Sequence, residues 1–289
     1  MSDAYKSQPR VMAPGLYMVS TPIGAARDIT LRALDLLAGA DVLAAEDTRT
    51  LRHLMELHGI ALNGRRIVPY HEHNSARALP RLLADLQAGK TVAYAAEAGT
   101  PLVSDPGFEL TRAARDLGLP VYAAPGASAV LAALAVAGLP TDRFLFAGFP
   151  PAARTARLAF LRELVPVQAT VVLYESPNRI NQILDDLAET HGKDRQAALC
   201  RELTKRFEEV TRGTIAQIRE SCAGRDMKGE FVLVLDRAAV RAADAETVER
   251  ALDRALDEMT VKDAAAAVAD AFSLSRREVY QLALKRGKA

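Results

Sequence analysis

Short apolar runs alternate with helical patterns along the first half of the chain. The apolar runs, which we interpret as strands, cover residues 16–20, 42–45, 67–70, 91–95 and 121–124. Helical patterns of about ten residues separate them. Parallel neighbours need a crossover of this length, and such crossovers are right-handed, so the pattern predicts a parallel sheet with helices on its faces.

Capping residues indicate where these helices begin and end. The first helix is expected to begin near Asp28 or Thr30, both good N-caps, and to stop with Gly39 in the C′ position. The later helices are expected to stop in the same way at a glycine, namely Gly59, Gly89 and Gly118.

A polar cluster follows each of the five apolar runs. The clusters occupy residues 21–24, 46–49, 71–74, 97–101 and 125–128. A turn that only connects two elements needs polar residues and a Gly or Pro. The additional charged, histidine and hydroxyl side chains in these clusters therefore indicate a function beyond connecting strands to helices. Ligands of open parallel sheets bind beyond the carboxyl ends of the strands. The sequence therefore predicts a functional site along this rim.

A second unit begins near residues 141–151, where Pro150 and Pro151 interrupt regular secondary structure. Its apolar runs cover residues 144–149, 170–174, 197–200 and 231–235, and residues 208–212 have the pattern of an added antiparallel strand. This irregular β content predicts a mixed sheet. We expect an N-terminal parallel α/β domain over residues 12–140, a mixed α/β domain over residues 141–237 and a helical tail over residues 245–289.

The tail is Ala-rich and charged, and it contains a helix-turn-helix pattern. Thr260 opens one helix and Ser275 opens another, with a short break at residues 272–274. The end of the tail is basic, with Arg276, Arg277, Lys285, Arg286 and Lys288. An ordinary helical hairpin with a solvated charged face explains these residues equally well.

Size and charge limit the classes of function. The 289 residues, 49% of them apolar, are enough to bury two cores of ordinary size. The 37 Lys and Arg residues balance 36 Asp and Glu residues, so no global basic field attracts nucleic acid and any RNA site must be a local patch.

Cysteine use and hydropathy favour a cytoplasmic protein. Cys200 and Cys222 form no CxxC motif, and a single disulfide could not stabilise a chain of this length. The cysteine content therefore favours a reducing compartment. Residues 1–10 lack the apolar run of a signal peptide. Residues 117–141 carry no charge, but prolines and a glycine interrupt them, so we expect a strand and a buried helix there, and no contact with a membrane.

Several common binding motifs are missing or incomplete. No two glycines have Gly-x-Gly spacing, so the dinucleotide-binding fingerprint is absent. Residues 59–66 lack the lysine and the hydroxyl group that a P-loop requires. His71 and His73 have the spacing for a metal site on an extended segment, but no third ligand is evident, so we predict hydrogen-bonding histidines and no metal.

The turns described above resemble a known family. Together with residues 104–107 (Ser-Asp-Pro-Gly), 138–143 (Gly-Leu-Pro-Thr-Asp-Arg), 174–177 (Tyr-Glu-Ser-Pro), 201–205 (Arg-Glu-Leu-Thr-Lys) and 228–231 (Lys-Gly-Glu-Phe), they are similar to the ribosomal RNA small subunit methyltransferase I family of the tetrapyrrole methylase superfamily. The resemblance covers residues 16–235, and the tail looks like the helical appendix of that family. The chain departs from the family pattern at three places: Ala96-Glu97 stands where Ser-Asp is usual, Ala25 where Asn is usual, and Asn178 where His is usual.

The resemblance implies both a fold and a reaction. It implies two α/β domains of tetrapyrrole-methylase type with S-adenosylmethionine in the cleft between them, a small C-terminal helix-turn-helix-like appendix, and a homodimer. The implied reaction is 2′-O-methylation of cytidine 1402, in the decoding centre of 16S rRNA within the 30S subunit.

The resemblance assigns cofactor binding to both domains. The first domain contributes Pro22, Gly24, Glu97, Ala98, Gly99, Thr100, Pro101, Ser128 and Ala129, and the second contributes Tyr174, Glu175, Ser176 and Gly229. The residue types suit this task. Glycines at positions 24, 99 and 126 allow close approach of the backbone to a ligand, and the helix after Ser128 presents free N–H groups to a carboxylate. Glu97 is placed to bind the ammonium group or the ribose hydroxyls of the cofactor.

A ribose hydroxyl is a weak acid, so a base or a cation that stabilises the developing alkoxide would promote the reaction. The catalytic candidates are Glu46, Asp47, His73 and Lys205, together with Arg49, which either holds a phosphate or pairs with Asp47. Further phosphate contacts are expected from Arg143, Arg179 and Arg201. Because the chain has no Trp, stacking on bases falls to Tyr70, Phe149 or arginines.

Two other functions remain open from the sequence. One is methyl transfer to a tetrapyrrole such as a cobalamin precursor, although the clusters at residues 46–49 and 71–74 and the basic tail argue against it. The other is a non-catalytic RNA-binding assembly factor, which would keep the basic residues and need no cofactor.

Overall fold

The structure, a computed structural model, describes residues 12–102, 107–238, 245–272 and 274–286. It contains two five-stranded sheets and a helical unit at the carboxyl end. Three expectations fall outside the described residues: the absence of a signal peptide at residues 1–10, residues 104–106 of the Ser-Asp-Pro-Gly motif, and Lys288.

The first sheet is fully parallel, as the strand and helix alternation predicts. Its strands are β1 (Gly15–Val19), β2 (Val42–Ala45), β3 (Ile67–Pro69), β4 (Thr91–Ala95) and β5 (Val121–Ala124), in the order β3-β2-β4-β1-β5. The helices between and after them are α1 (Leu31–Gly39), α2 (Thr48–Leu57), α3 (Ser75–Gln87), α4 (Gly107–Asp116) and α5 (Ala129–Ala137). Parallel pairing brings the turns that follow the five strands to one edge of the sheet.

Helix ends follow the capping residues with one exception. Thr30 caps α1, its hydroxyl oxygen accepting a hydrogen bond from the Ala33 amide at 3.2 Å. The glycines that follow α2, α3 and α4 have positive φ values, as predicted: Gly59, Gly89 and Gly118. The expectation for Gly39 is wrong, because it is the last residue inside α1. A Cβ there would lie 2.9 Å from Met12 Cε, so close packing explains this glycine.

The second sheet is mixed, as its irregular pattern predicts. Its strands are β6 (Phe144–Gly148), β7 (Thr170–Glu175), β8 (Gln196–Arg201), β9 (Glu209–Thr214) and β10 (Phe231–Leu235), in the order β6-β7-β10-β8-β9. Only the β6–β7 pair is parallel, and β9 is the antiparallel strand expected near residues 208–212. The helices of this unit are α6 (Arg154–Leu164), α7 (Ile180–His191) and α8 (Ile215–Cys222).

Helix α5 packs on the second sheet, although it follows the last strand of the first. Its buried residues Val130, Ala133 and Leu134 share one apolar cluster with Val172 of β7 and Val232 of β10. Because α5 is apolar on every side, its sequence gives no amphipathic face that would indicate this partner. By its packing, α5 therefore belongs with the second sheet and ties the two sheets together.

The carboxyl-terminal unit consists of α9 (Ala245–Glu258), α10 (Val261–Phe272) and α11 (Arg276–Arg286). Val248, Leu252, Val268 and Val279 form the centre of a core made by these helices alone. The break between α10 and α11 agrees with the predicted helix-turn-helix pattern. Two of the basic residues are neutralised within the unit: Arg276 pairs with Asp270, and Arg286 pairs with Glu249 and Asp253.

Among the described residues, no helix combines the length and the apolar character needed to cross a membrane.

Candidate active site between the two sheets

A cavity of about 460 Å³ lies between the two sheets and is lined from both sides. Most of the predicted cofactor-binding residues line it: Glu97, Ala98, Gly99, Thr100, Ser128, Ala129, Tyr174, Glu175, Ser176 and Gly229. Pro22, Gly24 and Pro101 are not part of this lining. Of the predicted catalytic residues Glu46 lines the cavity, whereas Asp47, Arg49, His73 and Lys205 lie outside the lining.

Hydrogen bonds join the turns that form the first-domain side of the cavity. The Thr21 amide donates to the Gly99 carbonyl at 2.9 Å, and the Gly99 amide donates to the Thr21 carbonyl at 3.1 Å. The Thr100 hydroxyl donates to the Ala127 carbonyl at 2.9 Å. The turns after β1, β4 and β5 therefore form one connected wall, in which Gly99 has a φ of +80° that favours glycine and a Cβ would lie 3.2 Å from Ile23 Cγ2.

The N-terminus of α5 opens into the cavity. Ser128 is its N-cap residue, and no side-chain capping bond forms there within the described part of the chain. Ser128 and Ala129 both line the cavity. The first amide groups of a helix lack intrahelical partners and carry partial positive charge, so this end is suited to an anionic group such as a carboxylate.

The second-domain wall is built around Tyr174 and Glu175 at the end of β7. Burial raises the pKa of Tyr174, and a backbone hydrogen bond with Val130 partly offsets this shift. The Glu175 side chain is 1% exposed; its Oε1 accepts from the Ser176 amide at 2.7 Å and its Oε2 pairs with Arg179 at 2.8 Å. The edge of this wall is Phe149, whose ring contacts Tyr174 at a centroid distance of 5.4 Å.

Gly24 makes a contact between the domains instead of lining the cavity. A Cβ at Gly24 would lie 2.5 Å from Lys205 Cγ and 3.0 Å from the Leu203 carbonyl oxygen. The neighbouring Ala25 amide donates to Thr204 Oγ1 at 3.0 Å. The turn after β1 is therefore docked on the turn after β8, which explains the glycine at position 24 by packing between domains.

Lys205 lies between two carboxylates. Its Nζ is 2.9 Å from Glu202 Oε1 and 3.0 Å from Glu230 Oε2, and Glu230 lines the cavity. Burial alone would lower the pKa of Lys205, but the hydrogen bonds and charges of Glu202 and Glu230 raise it above its usual value. Lys205 is therefore a protonated cation, unsuited to act as a base.

The cluster after β2 places one carboxylate in the cavity and uses the other as a helix cap. Glu46 Oε2 accepts a hydrogen bond from the Glu97 amide at 3.1 Å. Asp47 caps α2, accepting from the Arg49 amide at 2.7 Å and the Thr50 amide at 3.2 Å. These backbone bonds, with the Arg49 side chain, lower the pKa of Asp47 and make it a weak base.

Arg49 and His73 are surface residues near this rim. The Arg49 side chain is 92% exposed and its guanidinium lies 3.3 Å from Asp47, so the ion pair considered from the sequence is present. His73 is exposed, and its ring centroid is 6.1 Å from that of His71. Within the described ranges, no three His, Cys, Asp or Glu side chains are grouped to hold a metal ion.

The expectation that Tyr70 stacks on bases is wrong. Its side chain is fully buried, where it packs edge-on against Tyr94 at 5.7 Å between ring centroids. Burial raises the pKa of Tyr70 to about 12. Tyr70 ends the apolar run at residues 67–70, and a residue of such a run is as readily predicted to be buried as to contact a base. Phe149, in contrast, is 56% exposed and lines the cavity.

Sequence reasoning assigned no cofactor contact to several residues that line the cavity, namely Ile23, Glu46, Phe149, Pro177, Glu230, Phe231 and Val232. Most of them, Ile23, Glu46, Pro177, Glu230 and Phe231, belong to clusters or motifs noted in the sequence, and that membership was the available signal. Val232 belongs to the central strand β10, and its apolar surroundings in the sequence are those of any buried strand residue. Nothing in the sequence therefore indicates that it lines a cavity.

Comparison with known proteins identifies the family. The model for Tetrapyrrole (Corrin/Porphyrin) Methylases matches residues 15–219, and that for the RsmI C-terminal HTH domain matches residues 241–287. Ribosomal RNA small subunit methyltransferase I of Mesorhizobium japonicum is 44% identical over 277 residues, which is 96% of this chain and 93% of the relative. The chain belongs to the ribosomal RNA small subunit methyltransferase I family.

Two further comparisons agree with this family assignment. Ribosomal RNA small subunit methyltransferase I of Pseudomonas aeruginosa is 39% identical, over 94% of this chain and 97% of the relative. The solved uroporphyrin-III C-methyl transferase from Thermus thermophilus, complexed with S-adenyl homocysteine, has a TM-score of 0.53 and 20% identity, over 77% of this chain and 97% of that chain. At this identity the solved structure supports the two-domain fold alone.

Proposed function

We propose that the chain is an S-adenosylmethionine-dependent methyltransferase that methylates the ribose 2′-hydroxyl of a decoding-centre cytidine in 16S rRNA. The observation that carries the proposal is the cavity between the sheets, which is lined by the motifs of the ribosomal RNA small subunit methyltransferase I family. Its volume of about 460 Å³ suits a small-molecule cofactor.

The residues in the cavity fit this cofactor. The N-terminus of α5, where the Val130 backbone already bonds to Tyr174, suits the carboxylate of a methionine moiety beside Ser128 and Ala129, and Glu97 suits its ammonium group or the ribose hydroxyls. Phe149 and Tyr174 supply aromatic surface on the opposite side. When bound, S-adenosylmethionine supplies an activated methyl group that needs no metal and no covalent enzyme intermediate.

The chain contributes mainly by positioning and by holding a proton. Methyl transfer requires the ribose oxygen in line with the donor methyl group, so a rigid cavity wall serves the reaction directly. Glu46 is the carboxylate best placed to accept the hydroxyl proton, because it lines the cavity, whereas Asp47 is committed to the α2 cap. Lys205 holds Glu230 at the cavity edge.

RNA is expected to bind along the rim outside the cavity. Arg49 extends into solvent near the end of β2 and can contact a phosphate. Phe149 stands at the boundary, because it lines the cavity and is 56% exposed, so the solvent-facing part of its ring can also stack on a splayed base, which is how proteins commonly read single-stranded RNA. The proposal includes a 30S subunit as the substrate particle, a homodimer as the assembly, and the cytoplasm as the location.

Methyl transfer from labelled S-adenosylmethionine to 30S subunits that lack the modification tests the proposal. The expected result is label on the ribose of one cytidine, located by nuclease digestion and mapping. Label on a base, or no label on RNA, would contradict it. If calorimetry detected no binding of S-adenosylmethionine to the pure protein, methyl transfer to RNA and methyl transfer to a tetrapyrrole would both be excluded. A non-catalytic RNA-binding assembly factor would then be favoured.

A further inference from the structure

We propose that Arg157 and Arg179 are positioning residues that hold the 150–152 segment, and with it Phe149, as a fixed wall of the cofactor cavity. This inference rests on the proposed function, since it concerns the same cavity. Phe149 lines the cavity and is followed at once by this segment. If Phe149 were mobile, its contact with the cofactor would be weakened.

The composition of the segment makes its carbonyl groups the natural points of attachment. Pro150 and Pro151 have no amide hydrogen, so their backbone cannot donate a hydrogen bond to the neighbouring structure. Their carbonyl oxygens remain strong acceptors. Any external hold on this part of the chain therefore needs donors, and guanidinium groups provide several in a fixed geometry.

Two arginines, one within α6 and one immediately before α7, bond to three consecutive carbonyls. Arg179 donates to the Pro150 carbonyl. Arg157 donates to the Ala152 carbonyl at 2.7 Å and, more weakly, to the Pro151 carbonyl at 3.4 Å. Three successive acceptors held from two directions fix both the position and the orientation of the segment.

The two guanidinium groups are themselves fixed by carboxylates. Arg157 is 3% exposed and bonds to Asp186, which is 2% exposed, at 2.7 Å. Arg179 bonds to Glu175 at 2.8 Å. Since Glu175 lines the cavity, Arg179 connects two parts of the cavity wall, the end of β7 and the segment after β6.

Stability alone is a poor explanation for the buried pair. Desolvation of a buried ion pair often cancels its attraction, and apolar residues of similar size can stabilise a core equally well. What an apolar residue cannot supply is the hydrogen bond from Arg157 to the Ala152 carbonyl. The pair is therefore explained by orientation of the segment, which acts on the cavity through Phe149.

A double-mutant cycle tests this coupling. The proteins are wild type, Phe149→Ala, Arg157→Lys and the double variant, each titrated with S-adenosylmethionine by calorimetry and melted to measure Tm. Phe149→Ala and Arg157→Lys are each expected to weaken binding on the order of fivefold. The double variant is expected to bind no more weakly than Phe149→Ala, because the ring that Arg157 positions is already absent. Losses that multiply in the double variant would overturn the proposal.

Arg154→Lys is the matched control. Arg154 lies on the same helix and bonds to the same Asp186 at 3.1 Å, but its side-chain hydrogen bonds go to the carboxylates of Asp186 and Glu189 and not to the segment. It is expected to leave cofactor affinity unchanged, and an equal loss in this variant would show that the charge around Asp186, not the segment, is responsible. If Arg157→Lys does not fold, Arg179→Lys replaces it in the same cycle, with the same two outcomes.

The measurements separate this inference from the proposed function. If wild type binds no S-adenosylmethionine, the proposed function fails and this inference fails with it. If wild type binds the cofactor and the cycle is multiplicative, only the inference fails.

Discussion

At the scale of single residues, the cavity contains more carboxylates than cations. Glutamates line it at positions 46, 97, 175 and 230. Arg179 pairs with Glu175 and Lys205 pairs with Glu230, and none of the described lining residues is itself a lysine, arginine or histidine. Such a cavity favours a ligand that carries positive charge and disfavours phosphate groups, so RNA phosphates are expected to stay on the rim.

The assignment of Glu97 to the ammonium group or the ribose hydroxyls predicts equal effects on cofactor and product. Glu97→Gln is expected to weaken binding of S-adenosylmethionine about fivefold, the size of a partly exposed charge contact. S-adenosylhomocysteine should be affected equally, because it carries the same ammonium group and ribose hydroxyls. Calorimetry with both ligands measures the ratio, and Glu72→Gln, an exposed acid outside the cavity, is the control. A loss confined to S-adenosylmethionine would show that Glu97 faces the charged sulfur instead.

Arg49 provides a test of the RNA rim. Arg49→Ala is expected to abolish methyl transfer to 30S subunits while leaving affinity for S-adenosylmethionine nearly unchanged, because its side chain extends into solvent outside the cavity. Arg115→Ala, at another exposed arginine, should retain activity. Parallel loss of transfer and cofactor affinity would assign Arg49 to the α2 cap or to the cofactor site.

His191 predicts a pH dependence of stability. Burial, followed by the charge of Arg195, lowers its pKa to about 4, and its Nδ1 lies 2.9 Å from Thr190 Oγ1. The folded state keeps this histidine neutral, whereas the unfolded chain protonates near pH 6.5. Its contribution to the free energy of unfolding is therefore complete above pH 6.5 and is lost as the pH falls towards 4.

Denaturant unfolding at pH 6.5 and 5.5 measures this effect. The expected loss attributable to His191 is about 1 kcal/mol over that interval. His191→Gln should remove that part of the pH dependence, and His53→Gln, an exposed histidine, should retain it. Identical pH slopes in wild type and His191→Gln would refute the assignment.

At the scale of elements, contacts that are local in sequence were predictable and distant ones were not. Apolar runs located the strands, because central strands of these sheets are buried on both faces. The cap at Thr30 depends on a partner three residues away. The partners of Lys205 include Glu230, which is 25 residues away, and no local pattern shows that pairing.

The site divides in the same way. Ser128 lines the cavity because parallel strands bring their following turns together, whereas Tyr174 lies inside β7 of the mixed sheet and only the family resemblance pointed to it. Gly24 was expected at the cofactor, but its close neighbour is the Leu203 carbonyl of the other domain. A glycine in a turn signals a close approach without saying which group approaches.

The docked turns yield a prediction for Gly24. Gly24→Ala places a methyl group 3.0 Å from the Leu203 carbonyl and closer still to Lys205, so the domains must separate locally. We expect a stability loss of about 1–3 kcal/mol and weaker cofactor binding.

The control for this prediction is Gly64→Ala, a glycine with positive φ and no atom within 4 Å of the added Cβ. Backbone strain should lower its Tm, while cofactor affinity stays at the wild-type value. Wild-type affinity in Gly24→Ala would show that the cavity does not depend on this contact.

At the scale of the whole molecule, the helical tail is a separate unit. Its core is formed by α9, α10 and α11 without residues of either sheet. Because Arg276 and Arg286 are paired within the unit, Arg277 and Lys285 are its better candidates for phosphate contacts.

Truncation after residue 238 is expected to leave affinity for S-adenosylmethionine unchanged. Binding to 30S subunits should weaken, and its dependence on salt should become less steep, because phosphate contacts are lost. Calorimetry and filter binding at two salt concentrations measure both effects. Loss of cofactor binding in the shortened chain would show that the tail supports the two-sheet body.

The packing of α5 on the second sheet also affects how the protein is made. During synthesis, the five strands of the first sheet emerge before the strands of the second sheet on which α5 packs. The apolar surface of this helix, with Val130 and Leu134, is fully covered only when β10 leaves the ribosome about a hundred residues later. A nascent chain stalled between these points should therefore bind chaperones through α5.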